Sequence, residues 1–113
     1  MDSLDIARSV VSSLEEKKAE DIVLLDLQGT APMGDYYVIC SANNERALNT
    51  LADATVRELK GSVPKPSVEG TAREGWILAD FGNVIVHILS NAQRSFYQLE
   101  DLWTDAKVLL HMQ

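Results

Sequence analysis

Between Trp76 and Ser90 the chain reads WILADFGNVIVHILS, two apolar-rich runs separated by Gly82-Asn83. That pair constrains the fold more than any other feature. Gly accepts positive φ freely and Asn accepts it better than most residues, which a two-residue hairpin loop often requires. With Gly82 and Asn83 as the loop, Phe81 faces Val84, Ala79 faces Val86 and Ile77 faces Ile88. All six are apolar, so this face is expected to lie against helices. The opposite face pairs Asp80 with Ile85, Leu78 with His87 and Trp76 with Leu89, and sets Asp80 diagonally from His87. Two readings of this mixed face follow. Asp80 and His87 form a hydrogen-bonded pair that steadies the hairpin, as lone Asp/His pairs commonly do, or the face is a recognition patch anchored by Trp76.

Directly after the hairpin, Ser90-Asn91-Ala92-Gln93 fits the S-x-x-Q capping box of a helix start. Ala92, Phe96, Leu99 and Trp103 recur at helical spacing, the pattern of a buried stripe. Phe96 and Trp103 are assigned to the core. Arg94, Tyr97, Glu100 and Asp101 fall largely off the stripe, and an exposed Tyr beside an Arg is typical of protein interfaces.

Upstream, Ser3 is expected to cap a first helix whose apolar face is Leu4, Ala7, Val10, Val11 and Leu14, ending in the solvated run Glu15-Glu16-Lys17-Lys18. Ile22 to Leu27 is nearly all apolar, which predicts a strand covered on both faces inside a sheet. Gly29 to Gly34 reads as a loop, and Asp35 to Ser41 as a second strand rich in aromatic and β-branched residues. Asn43 or Asn44 caps a second helix with the stripe Leu48, Leu51, Ala52 and Leu59, closed at Gly61. Residues 61–75 are the least organised. Residues 104–113 form a tail with an apolar patch, Val108-Leu109-Leu110, which packs back on the domain or on a second copy.

Composition bounds the function. With 113 residues and 46% apolar content, the chain suits one domain spanning 1–113, with a core over about 3–103. No apolar run approaches the ~18 to 20 residues of a membrane span. Asp2 and Asp5 do not fit a secretory leader, and a lone Cys40 in an apolar strand fits a buried thiol in a reducing compartment, so the cytoplasm is expected. The net charge of −7 and the lack of a basic run argue against nucleic-acid binding, DNA included, and in favour of a basic protein partner.

Catalytic patterns are weak. Asp26, Asp35 and Asp80 are scattered over three strands, without a D-x-D pair or a phosphate-binding G-x-x-x-x-G-K-S/T loop. Two histidines and one cysteine do not make a structural zinc site. No metal, cofactor or catalytic residue is expected, and the chain is read as a non-enzyme. A metal-dependent nucleotidyl- or phosphotransferase is kept as an alternative, because the three aspartates could converge in space. A homodimeric scaffold module is the other.

Trp76-Ile77-Leu78-x-Asp80-x-Gly82, then Val86-His87, then Arg94-x-x-Tyr97-x-Leu99-Glu100-x-Leu102-Trp103 closely resembles the ribosomal silencing factor family (RsfS, or Iojap). Asp26-Leu27-Gln28-Gly29, Asp35-Tyr36-Tyr37-Val38-Ile39 and Glu69-Gly70 occur in the same order, so the resemblance covers roughly residues 4–103. Asn83 replaces a frequent Asp and Ala42 a common Gly, both away from the Trp/Asp/His face. The resemblance implies an α/β fold: one domain, a mixed sheet of about five strands with packed helices and nucleotidyltransferase-like topology, including a short strand near Ser67-Val68-Glu69. It also implies docking on large-subunit ribosomal protein fourteen, a steric block to subunit joining, and translational repression under nutrient limitation. Self-association is a further implication. The expected contact set is Trp76, Leu78, His87, Arg94 and Tyr97, with Asp80 bracing His87 and Glu100 pairing with a basic partner residue. The absence of an Arg- and Ser-rich leader points to a bacterial source.

Overall fold

The hairpin forms in the register that its loop dictates. In the computed structural model, strand β4 (Trp76–Asp80) pairs antiparallel with β5 (Val84–Ser90), Trp76 opposite Leu89, Leu78 opposite His87 and Asp80 opposite Ile85. Gly82 takes φ +93°, and the Phe81 amide donates to the Val84 carbonyl at 2.9 Å to close the turn. The structure describes residues 2–28, 34–97 and 107–112, and for residues 95–97 the backbone alone. The loop reading of 29–33 and the core assignments of Phe96, Leu99 and Trp103 therefore lie outside the described residues or side chains.

Around this hairpin the order is α1 (Ser3–Glu16), β1 (Glu20–Asp26), β2 (Tyr36–Ala42), α2 (Glu45–Glu58), β3 (Ser67–Thr71), β4, β5, α3 (Asn91–Tyr97) and β6 (Lys107–Met112). The sheet order is β3-β4-β5-β2-β1-β6. Only β2 and β5 run parallel, from Tyr36 opposite Val84 to Ala42 opposite Ser90; the other pairings are antiparallel. The chain is thus a single α/β domain with a mixed sheet. The sheet has six strands where about five were expected. The extra one is the tail, whose Val108-Leu109-Leu110 patch folds back along β1 and closes that edge.

Strand parity separates two cores. Ile22, Leu24, Val38, Cys40, Ile77, Ala79, Val86 and Ile88 project to one side and meet Ala7, Val10, Val11 and Leu14 of α1 and Leu48 and Leu51 of α2. Each such aliphatic side chain contributes roughly 1.5–3 kcal/mol on burial. On the other side Val23, Leu25, Leu27, Ile39 and Leu89 form a smaller cluster, with Tyr37 and Trp76 packed against it. β1 is buried from Ile22 to Leu25, as its unbroken apolar run implies.

The helix starts differ in detail from expectation. Asp2, not Ser3, caps α1: its backbone is still extended and its Oδ1 accepts from the Asp5 amide at 2.9 Å, while Ser3 is already the first helical residue. Asn44 caps α2 by accepting from the Ala47 amide at 2.7 Å. Cys40 is completely buried, and burial pushes its thiol up to about 12.

β3 lies exposed at one edge, yet one position on it is tightly constrained. Gly70 has φ +82°, and a Cβ there would overlap the Trp76 carbonyl oxygen on β4. Surface substitutions usually change stability by about 0.5 kcal/mol or less. Gly70→Ala is expected to cost at least ~2 kcal/mol in urea unfolding, from left-handed strain and the backbone clash together. A loss within ~0.5 kcal/mol would show that β3 does not hold this close approach in solution.

Candidate functional site

The mixed face of the hairpin is built from alternate residues of four adjacent strands. Ser67, Glu69 and Thr71 of β3 lie opposite Asp80, Leu78 and Trp76 of β4, with Ile85, His87 and Leu89 next in β5 and Tyr37 and Ile39 beyond them in β2. Burial increases from the β3 edge inward: the β3 residues are exposed, Trp76, Leu78 and Asp80 half-buried, and Ile85, His87 and Leu89 buried. The outer half of the face is open to a partner, and the inner half is core.

Trp76 and His87 form its polar centre. The indole Nε1–H donates to His87 Nδ1 at 3.2 Å, with ring centroids 5.9 Å apart, and the Tyr37 ring lies 4.8 Å from the imidazole on the other strand. Accepting at Nδ1 assigns the neutral ring's proton to Nε2, which has no hydrogen-bond partner among the described residues. His87 is 6% exposed, and burial lowers its pKa from 6.5 to about 4. At neutral pH it is an uncharged brace beneath the indole.

Two expectations are corrected here. Asp80 does not brace His87. Its Oδ1 accepts from the Gly82 amide at 2.7 Å, so the carboxylate caps the hairpin turn. Trp76 and Asp80 are both diagonal neighbours of His87; the long indole reaches across, while the short carboxylate finds a local donor first. Asp80 still acts on the face electrostatically, since burial and then the Asp80 charge raise the Tyr37 phenol. Nor does His87 present its ring to solvent, because the rings of Tyr37 on β2 and Trp76 on β4 lie against it.

Arg94 is the third correction. Its helical phase predicts an exposed contact, but it is 6% exposed, with Nη2 at 3.5 Å from Asp21 Oδ2. His111 Nε2 on β6 lies 2.5 Å from the other oxygen of the same carboxylate. Asp21 sits in a β1 bulge with φ +51°, a conformation that Asp tolerates better than most residues. One carboxylate therefore ties α3 and β6 to β1. The backbone of Tyr97 ends α3, its side chain lies outside the described set, and Glu100 lies outside the described residues.

The capping box forms only in part. The Gln93 amide donates to Ser90 Oγ at 3.2 Å, but the Ser90 amide donates to the Gly75 carbonyl at 2.8 Å and Gln93 Nε2 to the Glu74 carbonyl at 3.2 Å. Both spare donors fasten the turn that precedes Trp76. This support, and the place of Tyr37 against His87, escaped the sequence reading. The strand parity of Tyr37 was a signal for its face, whereas nothing local linked Gln93 to Glu74.

Among the described residues no group of three His, Cys, Asp or Glu side chains is placed to hold a metal. Asp26 and Asp80 instead each accept a backbone amide two residues on, from Gln28 and Gly82. No helix among the described residues is long and apolar enough to cross a membrane.

Fold and site together define an α/β module with an aromatic face braced from beneath. Comparison with known proteins agrees with the resemblance seen in its motifs. A family model described as ribosomal silencing factor during starvation matches residues 1–113. Ribosomal silencing factor RsfS of Bacillus subtilis is 33% identical over 111 residues, covering 94% of this chain and 91% of that protein. A mouse protein named mitochondrial assembly of ribosomal large subunit protein 1 is 31% identical, covering 84% of this chain and 43% of its own length. A crystal structure of a Chromobacterium violaceum protein superposes with TM-score 0.86 at 28% identity, covering 91% of this chain and 87% of that one. The chain belongs to the ribosomal silencing factor (RsfS) family.

The buried imidazole makes stability depend on pH with a definite sign. Well above pH 6.5 His87 is neutral whether the chain is folded or unfolded. As pH falls from 6.5 towards about 4, the unfolded chain takes up a proton that the folded chain refuses. Urea unfolding should therefore show up to ~3 kcal/mol of stability lost across that window, with His87→Asn losing this part of the slope. Equal slopes in the two proteins would show that the ring is not held neutral.

Proposed function

We propose that this chain represses translation by docking on the large ribosomal subunit through the Trp76–Leu78 face. Its docking place is ribosomal protein fourteen, on the surface where the small subunit joins, and the block is steric. Both partners need one surface, so affinity and concentration decide the outcome and no bond is made or broken. The observation that carries this reading is the half-exposed Trp76, held by its indole N–H to a buried neutral His87 beside the half-exposed Leu78. A large aromatic with a fixed orientation loses little side-chain freedom on binding, the property of an interface anchor.

In this reading Trp76 and Leu78 make the apolar contact and Asp80 lies at its rim. His87 and Arg94 act from beneath as positioning residues, the first through Trp76 and the second through α3. Tyr97 and Glu100 complete the contact set, Glu100 towards a basic partner residue. Net charge −7 suits a basic partner surface by speeding encounter and orienting it. The role places the protein in the cytoplasm, with no cofactor and no part for DNA or membrane. Membership in the silencing family and the words "ribosomal large subunit" in the mouse relative's name support this reading.

Pairing of two copies is the second reading, favoured by β6, the terminal strand of the sheet among the described residues, where Val108 is 57% and Leu109 37% exposed. The two readings separate in a sucrose gradient run with purified large subunits. Wild type should cofractionate with the subunits. Trp76→Ala and Leu78→Ala should each weaken binding by at least ~2 kcal/mol, about thirtyfold, while remaining folded by circular dichroism. Failure of the wild type to cofractionate, with a dimer in a parallel gradient without subunits that Val108→Lys splits, would favour the pairing reading.

A further inference from the structure

On the helix-covered side of the sheet, away from Trp76, the C-terminal end of α2 and the chain that follows it enclose a cavity of about 330 Å³. Its apolar wall is Leu59, Val63, Pro64 and Pro66, with Phe81 reaching in from the tip of the β4–β5 hairpin. The backbone explains why the space stays open. The Ser62 and Val63 amides both donate to the Leu59 carbonyl, at 3.0 and 3.2 Å, and Lys60 bridges to Val63, so the segment turns tightly over the helix end. Pro64 and Pro66 then restrict φ at two of the next three positions, which leaves the segment few other backbone shapes in which to fill the gap.

The charge at this cavity runs against that of the molecule. Among the described residues, Lys60 and Lys65 are the only charged ones lining it, both exposed, and no carboxylate lines it. Glu58, the one acidic residue between 57 and 66, lines a separate groove with Glu16, Lys17 and Arg57. Residues 57–66 carry Arg57, Lys60 and Lys65 against Glu58, a local excess of two positive charges in a chain of net −7. An apolar basin near the lower size limit of small-molecule sites, with two amines at its rim, selects a particular chemistry.

From this juxtaposition of an apolar basin and paired lysines we infer a binding site for a small amphipathic anion, whose hydrocarbon or aromatic body packs on Phe81, Leu59 and Val63 while its carboxylate meets Lys60 and Lys65. The site is separate from the docking face and does not rest on the ribosomal reading. A neutral molecule of the same shape gains the apolar contact but not the ammonium contacts, so the charged form binds better.

The test is an NMR titration of ¹⁵N-labelled full-length protein with 4-phenylbutyrate, and in parallel with the neutral 4-phenyl-1-butanol. Saturable amide shifts confined to the neighbourhood of Val56, Lys60, Val63, Lys65 and Phe81 are expected with the acid, with binding at least tenfold tighter than for the alcohol. The double variant Lys60→Glu/Lys65→Glu, changed only at exposed positions, should reduce the acid's affinity at least tenfold and leave the alcohol's unchanged. Absence of shifts at this cavity overturns the proposal. So do equal affinities for acid and alcohol, or an acid affinity indifferent to the lysines, which would leave an apolar hollow without anion recognition. Shifts centred instead on Val108 and Leu109 would also overturn it, as adsorption to the exposed edge.

Discussion

The parallel seam between β2 and β5 is the contact on which the rest of the molecule depends. It joins two antiparallel units, β3-β4-β5 and β2-β1-β6, and every other pairing in the sheet is antiparallel. A parallel pair needs a long crossover, and here that crossover carries α2, β3 and β4. The seam is dry on both sides: Val38, Cys40, Val86 and Ile88 face α1 and α2, while Ile39, His87 and Leu89 face the other way. Loss of this seam would split the sheet into two three-stranded antiparallel units and divide the apolar cluster that both share with α1 and α2. The seam also sets the functional face, because it brings Tyr37 beside His87 and buries the imidazole from which Trp76 is held.

Rigidity on that face comes from neutral hydrogen bonds more than from ion pairs. Trp76 is tied to His87 by its side chain, and the turn before it is tied to Ser90 and Gln93 by two backbone carbonyls. The aromatic anchor is therefore fixed from below and from one end, while its outer surface stays accessible. Charge does a different task. Asp21 gathers Arg94 and His111 at a bulge remote from the β3 edge, linking α3 and β6 to β1. Since Asp21 and His111 are both substantially exposed, that half of the link contributes modestly and orients more than it stabilises.

What could be seen in the sequence followed from locality. The β4–β5 register was legible because two-residue periodicity and Gly82-Asn83 are contained within fifteen residues. α1 and α2 were legible because their apolar stripes and caps are local, although Asp2 took the capping position expected of Ser3. The sixth strand was not recognised, since Val108-Leu109-Leu110 is a short patch whose partner, β1, lies some eighty residues earlier. The role of Asp80 was misread because a diagonal relation permits a bond to His87 without choosing it over Trp76 or the nearby Gly82 amide. Arg94 looked exposed from its helical phase, but burial was decided by Asp21, far away in sequence. In each miss a long-range contact overruled a local pattern.

The central claim is that the outer half of the Trp76 face meets the ribosome, and proximity tests it most directly. A photo-crosslinking amino acid placed at Glu69, exposed and directly opposite Leu78 in the register, would sit at the rim of that face without replacing an anchor. The same probe at Val108 would sit on the far edge of the sheet. On irradiation with purified large subunits, the account predicts a crosslink from position 69 to one large-subunit protein, ribosomal protein fourteen, and none from position 108. Crosslinks from 108 with none from 69 would contradict it and place the interface on β6.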